Sequence, residues 1–206
     1  MGAVPEPYRV ATSEDVPRVV DTIALAFRDD PVWSLALATG DGSDLHREFW
    51  RFYVEGAVGH STIFMVSGED ADVAPAVAVW IPPGGVEMSG SQDAELRDLV
   101  ADRLSASAAS ALDELWARFE SSHPHDPPHA YLSLLATHPT RRGHGIAQAL
   151  LADNLTHWNT LGVPCYLEST NPANDHRYAR LGFRPRGRFA AVVDDAVVTT
   201  MWREAD

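Results

Sequence analysis

The sequence is poor in cysteine, in basic residues and in long apolar runs. Its single cysteine, Cys165, excludes an internal disulfide framework and fits a reducing compartment. No apolar run approaches the ~20 residues of a membrane span. The N-terminal MGAVPEPYRV lacks the basic flank and apolar core of a secretion signal, so the expected location is cytoplasmic. Lys and Arg number 16 against 29 acidic residues, a formal net charge of −13. That balance argues against nucleic acid or an anionic membrane as partner and would draw cationic small molecules. Net charge of this kind more often serves solubility, so a functional reading needs acidic side chains placed at a pocket.

Internal repeats and low-complexity linkers are also missing, and 206 residues with 45% hydrophobic content suffice for one domain, 1–206, with a substantial core. Tyr8 to Ala11 reads as a strand, followed by a Thr12 cap and a helix to about Phe27. Pro31 opens a short helix through Leu37, and Asp44 caps a helix over His46 to Val58. Thr62 to Ser67 and Ala74 to Ile81 alternate as two strands of a hairpin joined by the acidic turn Gly68 to Asp72. Gln92 to Phe119 reads as two helices interrupted near Ser105 to Ser110, and Ser121 to His129 as a loop. The second half runs strand (Tyr131 to Thr137), helix (Gly143 to Leu161), strand (Cys165 to Ser169), helix (Asn174 to Leu181) and two strands (Phe183 to Val193, Val197 to Arg203).

The most informative stretch is RRGHGIAQALLADNLTHW, Arg141 to Trp158. A helix start exposes unpaired N–H groups and the positive end of the macrodipole, both of which favour an anion. Gly143 and Gly145 let a ligand approach the backbone, and Arg142 adds a cation, so the turn suits a phosphate. Glycines used for clearance alone would read the same way. The Walker A pattern fails because Ile146-Ala147 stand where Lys and Ser or Thr belong. The dinucleotide fingerprint fails because Gln148 replaces its third glycine.

Arg142-Gly143-His144-Gly145-Ile146-Ala147 resembles the Arg/Gln-x-x-Gly-x-Gly/Ala loop of the GNAT acyltransferase superfamily. Tyr178-Ala179-Arg180-Leu181-Gly182-Phe183 resembles its Tyr-x-x-x-Gly-Phe segment, at the right separation and in the right order of elements. Within the superfamily, ATSEDVPRVVDTIALAF, AVAVWIPP and GVPCYLEST look most similar to the puromycin N-acetyltransferase-like group. The resemblance implies an α/β (α+β) fold: a mixed central sheet of about seven strands, splayed at the middle and flanked by helices.

The same resemblance implies acetyl-CoA as acyl donor, with no metal. Leu135, Ala136 and Thr137 would pair through their backbones with the pantetheine arm, and amides of Arg142, Gly143, His144, Gly145, Ile146 and Ala147 would hold the pyrophosphate. Asn174 would cap the following helix, touch the pantetheine, or both. Tyr178 takes the place of the family's general acid toward the departing thiolate, since a phenol stays protonated at neutral pH. Glu168, a charge in an apolar strand, is the candidate base, with a structural ion pair as its other reading. Asp29 and Asp30 fall where related enzymes build the acceptor pocket, to attract an amine or to cap a helix. Trp80 could wall that pocket or pack in the core.

Cys165 reads as a small buried hydrophobe, and His123, His125 and His129 lack the cysteines or rigid spacing of a zinc site. The implied reaction is direct attack of a primary amine on the thioester through a tetrahedral intermediate, with a small molecule as acceptor. A protein or peptide acceptor and a non-catalytic CoA-binding module are the other readings. Whether Asp29 to Gly40 and the Pro82 to Ser89 loop close the acceptor mouth separates a small molecule from a peptide. The final strands are suited to pair protomers, leaving monomer and homodimer both open.

Overall fold

A computed structural model describes residues 8–60, 62–68, 70 and 72–206. Residues 1–7, most of the segment read for a secretion signal, and Glu69 and Ala71 of the acidic turn lie outside the described residues. Seven strands form one sheet in the order β1-β2-β3-β4-β5-β7-β6. They are β1 (Tyr8–Val10), β2 (Thr62–Val66), β3 (Ala76–Ile81), β4 (Ala130–Thr137), β5 (Cys165–Ser169), β6 (Arg184–Ala190) and β7 (Val197–Arg203). Strands β4 and β5 are parallel, joined by the crossover helix α6 (Ile146–Thr160), and the other neighbouring pairs are antiparallel. The expected mixed sheet with flanking helices is therefore present.

Alternation along the central strands assigns each side chain to one of two layers. Ile63, Met65, Val77 and Val79 point into a core shared with α1 (Val16–Phe27), α2 (Trp33–Ala36), α3 (His46–His60), α4 (Gly90–Arg103) and α5 (Ala106–Ser122). Phe64, Val66, Ala78 and Trp80 point the other way, onto Leu150, Leu151, Leu155 and Trp158 of α6. Strand β4 changes faces midway. Ala130 and Leu132 lie on the α6 side, whereas Leu134 and Ala136 lie on the α1 side. The cause is a β-bulge: Val79 pairs with Leu134 and Trp80 with Leu132, leaving Ser133 as the extra residue.

Several helix ends differ from the sequence expectation for local reasons. Helix α6 begins at Ile146 rather than Gly143, because Gly143 and Gly145 take positive φ. Helices α4 and α5 are separated by Leu104 and Ser105 alone rather than by a serine-rich gap. The Ser105 side chain accepts from the Ala108 N–H at 3.2 Å, and Ser107 and Ser110 are helical. Asp44 starts α3 as expected, accepting from the His46 N–H at 3.0 Å. Among the described residues no helix is long and apolar enough to cross a membrane.

A buried polar contact joins the sheet to α6: the Trp80 indole donates to Asn154 Oδ1 at 2.9 Å, and both residues are 0% exposed. With no water to replace the acceptor, Asn154→Leu should cost about 1–3 kcal/mol of unfolding free energy, read by urea denaturation. A loss within ~0.3 kcal/mol of zero would show that the indole N–H finds another partner.

Candidate active site

Strands β4 and β5 pair at Ala130 with Cys165, Tyr131 with Tyr166 and Leu132 with Leu167, and then separate. Strand β4 nonetheless continues to Thr137 and β5 to Ser169. From the Ser133 bulge onward, the β5 side of β4 has no strand partner, and a cleft of about 600 Å³ occupies the gap. Leu135, Ala136 and Thr137 line it.

The glycine turn closes one end of this cleft. Gly143 and Gly145 adopt φ of +86° and +72°, which a side-chain-bearing residue reaches only at a cost of ~1–2 kcal/mol. Gly145 is the N-cap of α6 and brings no side-chain cap, so the first-turn N–H groups point into the cleft's basic end. Ile146 and Ala147 line the cleft here, together with Arg141 and Arg142, and Arg177 and Arg180 line it from the helix that carries Tyr178. The Arg142 side chain also donates to the Ala26 carbonyl at 3.2 Å, bracing the end of α1 against the turn. His144, whose backbone N–H rather than side chain is the expected contact, is exposed between the two left-handed glycines and does not itself line the cleft. The uncapped helix start fits a pyrophosphate, and the unpaired strand edge fits an extended amide-bearing arm.

Tyr178 stands on α7 (Asp175–Arg180) at the other wall. Gly182, at φ +90°, reverses the chain after α7, and Phe183 enters the α6-side core at 1% exposure, within edge-to-face contact of the Tyr178 ring. The spacing of this motif therefore fixes the phenol at the cleft. Burial, aided by the charges of Asp30 and Asp175, pushes its pKa up to about 12. Asn174 lines the cleft but makes no side-chain cap to α7, which corrects half of its expected role. The cap belongs to Asn171, whose Oδ1 accepts from the Ala173 N–H at 3.1 Å and opens the short turn Pro172–Asn174.

Asp29 is exposed at the mouth, while Asp30 is buried and fully engaged. Its Oδ1 accepts from the N–H groups of Val32 and Trp33 at 3.0 and 3.2 Å, and its Oδ2 from the Thr170 hydroxyl at 2.8 Å. Burial raises its pKa despite these donors. Asp30 thus caps the turn into α2 and ties it to the end of β5.

Beyond the splay lies a chamber on the α1 side of the sheet. Glu168 projects into it with its side chain 2% exposed, and neither carboxylate oxygen has a hydrogen-bond partner among the described residues. Glu87, from the loop between β3 and α4, faces the same space and accepts a hydrogen bond from the Ser133 hydroxyl of the bulge. Burial pushes the Glu87 carboxyl up to about 7, and the negative charge of Glu168 adds to the shift. Tyr53, Trp116, Phe119 and Tyr131 wall the chamber, and a second opening beside Glu87 and Glu168 leads out past His123. Sequence reasoning missed Glu87, although an acid between Val86 and Met88 was a usable signal.

Trp80 does not reach this chamber. Alternation along β3 sends it to the α6 face, where it packs on Trp158, so its assignment to the acceptor pocket is corrected. Cys165 is buried on that same face, with its thiol pushed up to about 12 by burial. Among the described residues no group of three or more His, Cys, Asp or Glu side chains is placed to hold a metal ion.

Comparison with known proteins gives this geometry a context. Residues 110–185 match the family described as "Acetyltransferase (GNAT) domain". A Corynebacterium glutamicum protein, "histone acetyltransferase HPA2 and related acetyltransferase", is 26% identical over 98% of both chains, with a TM-score of 0.68. Arylalkylamine N-acetyltransferase 2 from Aedes aegypti is 14% identical over 97% of this chain and 99% of its own, with a TM-score of 0.65. The polyamine N-acetyltransferase of Drosophila melanogaster, which forms N-acetylagmatine, is 14% identical over 96% and 99%, with a TM-score of 0.66. The chain thus has the fold of the GNAT acetyltransferases, and its residues 110–185 carry the sequence pattern of the GNAT domain.

Proposed function

We propose that this protein is an acetyl-CoA-dependent N-acetyltransferase for the primary amine of a small cationic molecule. One observation carries the reading: the gap between β4 and β5 joins a helix start suited to an anion to a chamber holding two buried carboxylates. Acetyl-CoA supplies the activated acetyl group. The α6 amides and the surrounding arginines bind its phosphates, and the open edge of β4 aligns the arm and presents N–H groups to the thioester carbonyl.

An amine arrives as an ammonium ion and must lose a proton before it can attack. Glu87 and Glu168 draw the cation in and accept that proton in a site where burial has raised the basicity of Glu87. Tyr178, held protonated by burial, supplies a proton to the leaving thiolate. The ammonium ends as one amide N–H, one thiol proton and one proton released to solvent, so the reaction balances.

The packing of the two segments that flank the chamber supports a small acceptor over a peptide. A Cβ on Gly56 of α3 would lie 2.2 Å from the Glu87 carbonyl, so the Pro82 to Ser89 loop sits directly on that helix. On the other side Trp33 of α2 stacks on Phe119 at 6.0 Å, which holds the Asp29 to Gly40 segment against α5. The Drosophila and Aedes relatives are named for polyamines and arylalkylamines, which agrees with a pocket of carboxylates and aromatic rings. The finer likeness to the puromycin N-acetyltransferase-like group rests on the segments Ala11 to Phe27, Ala76 to Pro83 and Gly162 to Thr170.

CoA release measured with a panel of polyamines, arylalkylamines, aminoglycosides, puromycin and short peptides tests the proposal. All 16 basic residues are arginine, so no lysine of the enzyme competes as acceptor. Tyr178→Phe should lower kcat by ~10²–10³ with little change in the KM for acetyl-CoA. Acetyl-CoA binding without release on any amine would overturn the transferase reading in favour of a binding module.

Two further outcomes are expected. Gly145→Ala should weaken acetyl-CoA binding by about 5- to 30-fold, the equivalent of ~1–2 kcal/mol of left-handed strain, and equal affinity would remove the turn from the site. Glu87 works as a base only when ionised, so kcat should rise with pH through about 7 and then level. Glu87→Gln should abolish that rise, and a profile unchanged by the substitution would exclude Glu87 as its origin.

A further inference from the structure

Two histidines of the Ser121 to His129 segment form a chain that ends on Glu168. His129 Nδ1 lies 2.9 Å from the Pro127 carbonyl, which can only accept, so that nitrogen carries a proton. Its Nε2 lies 3.1 Å from His123 Nε2, and one of these two nitrogens must donate. Burial lowers the pKa of His129, which favours the singly protonated ring, and in that ring Nε2 accepts and His123 Nε2 donates. His123 Nδ1 therefore carries a proton only when the ring is an imidazolium. That nitrogen faces Glu168 Oε1 at 3.6 Å.

An unprotonated ring nitrogen facing a carboxylate is two acceptors in opposition, and one added proton converts the contact into an ion pair, with the phenols of Tyr131 and Tyr166 beside the same carboxylate. The surroundings suit a proton that arrives and leaves. Glu168 is 2% exposed whereas the His123 side chain is 28% exposed and lines the second opening, so His123 is the partner that meets water. Tyr131 and Tyr166 pack edge-on against His123, and burial raises both of their pKa values, so neither phenol gives up its own proton to the pair. Glu87 and Glu120 add negative charge nearby, and Arg186 sets a positive charge beside His129.

We propose that His123 carries the acceptor's proton from Glu168 to solvent, with His129 fixing its tautomer. The inference rests on Glu168 facing the acceptor amine, as proposed above. In balanced form, the ammonium N–H bond breaks and its proton passes through Glu168 to His123 Nδ1. The neutral amine attacks, and the His123 imidazolium then yields one proton to water, restoring the starting state. His123 acts through Glu168 and is a relay residue rather than a catalytic one.

Nitrogen-15 NMR of the full chain without ligand reads the arrangement directly. His123 should show the Nε2–H tautomer at alkaline pH, and its titration should move in Glu168→Gln. The Nδ1–H tautomer, or a titration indifferent to Glu168→Gln, overturns the proposal. In turnover, His123→Ala should lower kcat by about 10-fold, less than the ~10²–10⁴ of a directly acting base, and leave the KM for acetyl-CoA in place. Added imidazole should restore the rate through the second opening. If His123→Ala fails to fold, His123→Gln keeps a donor toward His129 and tests the same loss. An active wild type with an unchanged His123→Ala rate and pH profile overturns the relay alone. A wild type that binds acetyl-CoA yet acetylates nothing overturns the transferase reading, and the relay with it.

Discussion

The parallel pair of β4 and β5 holds register for three residues and then parts, each strand following its outer neighbour. The far half of β4 stays with β3 through Ala76 opposite Thr137, and the far half of β5 stays with β7 through Ser169 opposite Thr199. The Ser133 bulge turns β4 over at the point of departure. The Thr170 hydroxyl, bound to buried Asp30, draws the end of β5 toward the corner of α1 and α2. Each strand therefore follows its outer partner away from the other. The helix start, the phenol and the carboxylates acquire their relation to one another from that separation.

The cleft is also polarised along its length, which the net charge of −13 conceals. Arg141, Arg142 and the positive end of α6 lie at the glycine turn and Arg177 and Arg180 on the α7 wall, while Glu87 and Glu168 face the chamber. Buried carboxylates are costly, and the raised pKa values of Glu87 and Asp30 express that cost. The charge of Asp30 also helps to hold Tyr178 protonated, so one electrostatic arrangement serves both proton donor and proton acceptor. In the proposed reaction, an anionic donor would be drawn to the glycine turn and a cationic acceptor to the chamber.

What the sequence made legible follows from what each part is built of. Gly143, Gly145 and Gly182 are written in the chain because positive φ demands them, and each fixes a functional turn. Strand alternation was equally readable and would have excluded Trp80 from the acceptor side, had the parity of β3 been carried through to its last residues. Asn174 was misjudged because capping depends on χ angles rather than position, and Asn171 was better placed. The bulge at Ser133 has no glycine or proline to announce it. Glu87 became visible only once its loop had folded over α3, because burial makes its carboxyl unusual and burial is a tertiary property.

The donor end of the cleft is made of main chain: strand edge, helix amides and two glycines. Such parts recognise what every acetyl-CoA offers and leave a local sequence motif. The acceptor end is made of side chains from widely separated positions, with Tyr53, Trp116 and Tyr131 held by mutual packing and by the 3.2 Å hydrogen bond from the Trp116 indole to the Tyr53 hydroxyl. Exchanging one ring would reshape the chamber without disturbing the strands that hold the donor. On the proposed reading, acceptor choice could change while the fold and the main-chain end of the cleft stay fixed; solved structures with this fold are named for polyamine and arylalkylamine acetyltransferases.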